Sequence, residues 1–161
     1  MMVPANARWV IFATLFACLM LSALPLPISW SALRPSWAML GLFYWVLALP
    51  HRVGMLSAAL VGAILDLIEG APAGGQALGL VISTALLQLN YQRVRQFDIW
   101  QQSIMMGLLL ALTAVIERWV QELLGFPAPG LRYLYPALVS IFFWPLVREL
   151  LRGIRRYYEV T

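Results

Sequence analysis

Long apolar runs, each closed by charged, amide or helix-breaking residues, recur six times along this chain, at 9–26, 36–49, 53–68, 75–89, 103–124 and 133–151. Inside each run the hydrophobic positions are nearly continuous. Transmembrane barrel strands alternate in polarity over about ten residues, so the pattern excludes a barrel. Helices satisfy their own backbone hydrogen bonds and are the spanning alternative. The prediction is an all-α integral membrane protein with about six transmembrane helices, forming a single polytopic domain over residues 1–161.

The polar interruptions set the order of loops. Pro25, Pro27 and Pro35 bracket residues 28–34 as a first outer loop, because internal prolines break a helix. The second stretch is short: about 14 residues at 1.5 Å each reach roughly 21 Å, against a hydrocarbon core near 30 Å. It crosses a locally thinned bilayer, or forms with the third stretch a hairpin that turns at Pro50-His51-Arg52. The full crossing is preferred because it preserves the sidedness of the charges. Residues 90–102 are predicted as the longest inner loop, and residues 125–130, rich in Gly and Pro, as a rigid outer turn.

With the N-terminus in the cytoplasm, Arg8, Arg52, Arg93, Arg95, Arg148, Arg152, Arg155 and Arg156 fall inside, Arg34 and Arg132 outside, and Arg118 within a span. That is the positive-inside bias of a membrane protein with both termini cytoplasmic. Arg148, Arg152 and Arg156 align at i, i+4 and i+8 with Arg155 beside them, a basic face for which anionic lipid is the expected partner. Composition agrees with a lipid-solvated chain: 62% of the 161 residues are hydrophobic and 11% charged, and the mean hydropathy is +0.81. The net charge of +4 comes entirely from arginine distributed by membrane side, so no nucleic-acid surface is expected. The single Cys18 excludes an internal disulfide, and the apolar run continues past it, so the first span is expected to be retained.

Small residues recur every four positions as Gly54, Ala58, Gly62, Asp66 and Gly70, then as Gly75, Gly79 and Ser83. Such stripes let helices approach closely, either within the chain or with a partner helix. Ionisable residues in lipid need partners, which singles out Asp66, Glu69, Glu117, Arg118 and Glu122, all toward the outer face with Arg34 near them. Arg118 and Glu122 are spaced to pair at i, i+4. Glu117 shares a polar stripe with Thr113 and Gln121. This group reads as a structural ion-pair cluster, as a pocket for a partner segment or small polar ligand, or as a proton relay. His51 is an interfacial turn residue, and Trp9, Trp30, Trp37, Trp100 and Trp144 are expected as headgroup-level anchors. No catalytic set, metal site or cofactor motif is present in the sequence, so no enzyme is expected.

Arg34-Pro35-Ser36-Trp37, the segment from Tyr44 to Val53 with Leu49-Pro50-His51-Arg52, Gly62-Ala63-Ile64-Leu65-Asp66-Leu67 with Gly70, and Ile99-Trp100-Gln101-Gln102 together resemble the family of rod shape-determining MreD proteins. The resemblance runs in order over nearly the whole chain. It implies a non-enzymatic scaffold of the bacterial elongation machinery that binds MreC directly and works with MreB, RodA and the elongation penicillin-binding transpeptidase. It also implies a fold like the substrate-binding membrane subunits of energy-coupling-factor transporters. Arg34, Trp37, Asp66 and Gly70 enter as motif positions. A small-solute-binding transporter subunit is the alternative, and a second copy of the chain stays open as a partner.

Overall fold

The computed structural model describes residues 7–31, 33–71, 74–126 and 130–160. Its helices are α1 (Ala7–Ala23), a single turn α2 (Ile28–Ser31), α3 (Trp37–Ala48), α4 (Met55–Glu69), α5 (Gly75–Gln96), α6 (Ile99–Leu123) and α7 (Tyr135–Tyr157), the last preceded by a 3-10 turn at Arg132–Leu134. No strand occurs among the described residues. By length and composition two helical segments suffice to cross a membrane, Ile99–Leu123 and Arg132–Tyr157.

The apolar stripes decide who packs on whom. α3 is hydrophobic all round, and such a helix must be buried all round. Ten of its twelve residues are buried, and it touches α1, α4, α5, α6 and α7. Being inside protein, it needs partners for both of its helix ends. The Ser36 N–H donates to Ser140 Oγ of α7 at 3.1 Å and the Ala38 N–H to Ser22 Oγ of α1 at 3.2 Å. At the other end Arg95 of α5 donates to the carbonyls of Leu47 and Ala48. A twelve-residue helix is therefore enough here, because α3 ends on neighbouring side chains.

Around α3 the chain winds α4 against α5, α5 against α6 and α6 against α7. Each of these seams carries a glycine. A Cβ on Gly62 would lie 2.4 Å from the Ala77 Cα of α5, one on Gly79 2.8 Å from the Thr113 carbonyl of α6, and one on Gly107 2.2 Å from Ile141 of α7. Both small-residue stripes are thus occupied inside the chain.

The region 90–102, expected as a loop, is almost entirely helical. α5 runs on to Gln96 and α6 begins at Ile99, leaving Phe97 and Asp98 as the connection. The polar residues there end the apolar run without ending the helix. Asp98 then starts α6 through a capping box with Gln101. Trp144, expected as an interfacial anchor, is instead fully buried and donates to Gln102 Oε1 at 3.4 Å. Of the outer turn 125–130, residues 127–129 lie outside the described residues, while Gly125 and Gly130 have φ of 83° and 92°, as a glycine turn allows.

Candidate functional site

The alternating helices sort the ionisable groups into two ends. The end where α4 turns into α5 holds Arg34, Arg118 and Arg132 with Asp66, Glu69, Glu117 and Glu122. The other holds the remaining eight arginines with Asp98, Glu149 and Glu159. The sequence-derived grouping of arginines thus coincides with one end of the fold.

At the first end Asp66 is 2% exposed. Its carboxylate accepts from the backbone N–H groups of Gly74 (2.9 Å) and Gln76 (3.2 Å), so it caps the N-terminus of α5 from across the turn. The helix dipole favours a negative charge there. Gly70 closes α4 in the left-handed conformation (φ 65°), and the Ala71 N–H reaches back to the Asp66 carbonyl at 3.1 Å, a Schellman-type stop. The Gln76 side-chain amide lies between two carboxylates, donating to Glu69 Oε2 and, at 3.4 Å, to Glu117 Oε1. Gln121 adds a second donor to Glu117 at 3.0 Å. Thr113 bonds Ser83 of α5 at 2.8 Å, so the polar stripe of α6 faces protein.

Arg34 donates to the Leu21 carbonyl at 3.0 Å, capping the C-terminus of α1. It and Glu69 line a cavity of about 450 Å³ between the ends of α1 and α4 and the starts of α3 and α7. Trp37 is beside this cavity rather than in it, edge-on to Phe143 at 5.3 Å. Arg118 pairs with Glu122 at 2.9 Å and lies over the Tyr133 ring, apart from Asp66, Glu69 and Glu117. The expected outer cluster is therefore two groups: a hydrogen-bonded one around Gln76 that borders the cavity, and a separate ion pair on α6. Among the described residues no group of His, Cys, Asp and Glu is placed to hold a metal.

A second concavity is lateral. α1 and α4 diverge and leave an apolar groove of about 890 Å³, walled by Phe12, Leu15 and Phe16 from α1 and by Leu60, Val61 and Ile64 from α4, with Arg8, His51 and Arg52 at one end. Phe12, Phe16 and Leu60 are 70%, 62% and 60% exposed. Among the described residues no other helix covers them. The ridge Gly54, Ala58 and Gly62, which the sequence offers to a partner as well as to the chain itself, lies on a different side of α4 and is filled by α5.

Of the basic face on α7, Arg148, Arg152 and Arg155 point into a small cavity together with Arg95, while Arg156 does not line it. Sequence reasoning passed over Gln76, and took Gln102 only as part of a family motif and Arg95 only as an inside charge. The available signal was that Gln76 and Gln102 each stand at the very start of an apolar run, where an unpartnered amide in lipid is costly.

A family model for rod shape-determining protein MreD matches residues 5–154 of the chain. The rod shape-determining protein MreD of Haemophilus influenzae is 33% identical to it, over 92% of this chain and 93% of that protein. No solved structure matches.

Proposed function

Because the chain belongs to the MreD family of rod shape-determining proteins, we propose that it acts by binding rather than turnover, as a six-span inner-membrane scaffold that holds the membrane helix of MreC. In this reading both termini are cytoplasmic and the Asp66 end faces the periplasm. The assembly couples MreB on one side to RodA and the penicillin-binding transpeptidase of peptidoglycan synthesis on the other. The basic end of α7, with Arg148, Arg152, Arg155 and Arg156, then meets the anionic inner leaflet, each charge contributing about 1 kcal/mol.

The observation that carries the reading is the uncovered groove between α1 and α4. Inside lipid no hydrophobic drive pulls two helices together, so association depends on shape, and a concave apolar wall supplies that shape. The adjoining periplasmic segment of MreC would reach the cavity bearing Arg34 and Glu69. Filling the groove with Ala13→Trp and Ser57→Trp is expected to cut co-purification of MreC about tenfold, or ~1.4 kcal/mol. Ile104→Trp, on an exposed face of α6, should leave it unchanged. Equal retention of MreC by a monodisperse groove variant would remove this surface.

The alternative, a solute-binding membrane subunit with the fold of energy-coupling-factor transporters, draws on the same Arg34 and Glu69 cavity, whose opposite charges suit a small zwitterion. Native mass spectrometry separates the two. A stoichiometric small molecule, lost in Arg34→Gln, favours transport, and a retained MreC chain favours the scaffold.

A further inference from the structure

At the Arg95 end, α7 carries Arg148, Arg152 and Arg155 at i, i+4 and i+7, and these do not simply fan out over a lipid surface. Together with Arg95 of α5, Tyr44 of α3 and Gln102 of α6 they wall a cavity of about 140 Å³ directly beneath the C-terminus of α3. Four like charges brought to one cavity repel one another, the more so where water is displaced. The chain supplies only part of the compensation. Arg95 spends two donors on the carbonyls of Leu47 and Ala48, and Arg155 Nε donates to the Val160 carbonyl at 3.1 Å. Glu149 stands 3.9 Å from Arg152, with both side chains about half exposed, and a surface pair of that kind contributes little. No carboxylate of the described residues lies within ion-pair distance of Arg148, Arg155 or Arg95. Arg155 also shares a side-chain hydrogen bond with Tyr44, but each guanidinium has five N–H donors, so most of the donors around this cavity have no acceptor among the described residues.

We propose that this cavity binds one phosphate-type oxyanion, gripped between the guanidinium groups of α7 and Arg95 of α5. The volume equals that of about five waters, the scale of a single four-oxygen group. The planar fork of arginine matches phosphate bidentately, which a wall whose four cationic side chains are all arginine is suited to exploit. The bound group ties the basic end of α7 to α5 and, through the Arg95 cap, to the buried α3. The phosphate belongs to an anionic phospholipid headgroup or to a free phosphate, and the chemistry of the site is the same for both. The site stands independently of which partner fills the α1 and α4 groove.

The test uses the full chain in phosphatidylcholine nanodiscs, titrated with inorganic phosphate at constant ionic strength, and in nanodiscs doped with phosphatidylglycerol. Melting temperature is the readout, with native mass spectrometry counting retained lipid. A rise in the phosphate arm identifies a free anion, and a rise only in the phosphatidylglycerol arm, with one lipid retained, identifies a headgroup. The double variant Arg148→Gln/Arg152→Gln should lose most of the rise. Arg8→Gln/Arg93→Gln removes the same charge at the same end of the fold, outside the cavity and off α7, and should keep it. Equal losses in the two doubles, or no rise in either arm, overturn the proposal. Should the first double not fold, Arg148→Lys/Arg152→Lys keeps the charge without the fork, and full retention of the rise there also overturns it.

Discussion

Asp66 shows how a single carboxylate in an apolar helix is accommodated by its neighbours: it is spent on the backbone N–H groups that open α5. Asp66→Ala leaves buried donors unpaired and should cost about 2 kcal/mol, whereas Asp66→Asn keeps an acceptor and should cost less. Thermal unfolding of the purified protein in detergent checks the order. Gly62 is constrained by space rather than charge. The atom that any larger residue adds there meets α5 backbone at 2.4 Å, and backbone cannot swing aside as a side chain can. Gly62→Leu is therefore expected to abolish the monodisperse peak in size-exclusion chromatography and not merely to weaken MreC binding. Asp66 and Gly62 were both legible from the sequence as positions under constraint. Which constraint applied was not, because a four-residue repeat of small side chains says that something comes close without saying whether it is the next helix or another chain.

Helices are the scale at which sequence and structure agree best and also where they part. The six apolar runs all contain a helix, because hydrophobic continuity over 14 or more residues leaves little else for a backbone in lipid. Helix ends followed a different signal. Asn90, Gln92, Arg93 and Arg95 mark the end of hydrophobicity in α5, yet they are acceptable helix formers, and the helix continues until Phe97 and the Asp98 cap. The extension has a purpose in the fold, since it carries Arg95 to the C-terminus of α3. Arg95→Ala should uncap that helix, and hydrogen exchange of the amides from Leu49 to Gly54 should accelerate by about tenfold or more relative to those of α6. Unchanged exchange there would mean that packing alone holds the end of α3. The Gln76 bridge between Glu69 and Glu117 was invisible for a related reason: it joins residues on α4, α5 and α6, and no local spacing reports a contact 41 residues apart.

For the whole molecule, the segregation of eight arginines to one end of the bundle is the feature that sequence and fold express together. In the proposed orientation that end lies in the cytoplasm, as the positive-inside bias would have it. Reporter fusions at residues 1 and 161 should both read cytoplasmic, and a cysteine placed at Gly125 should be labelled from the periplasm by an impermeant maleimide. Termini in opposite compartments would break the six-span reading. The space between α1 and α4 is the proposed seat of MreC's membrane helix, and photocrosslinking in cells probes that contact. A photoreactive amino acid at Phe12 or Leu60 should form an adduct with MreC, while the same residue at the equally exposed Leu108 of α6 or Phe142 of α7 should not. Adducts from Leu108 or Phe142, with none from the groove, would contradict the account.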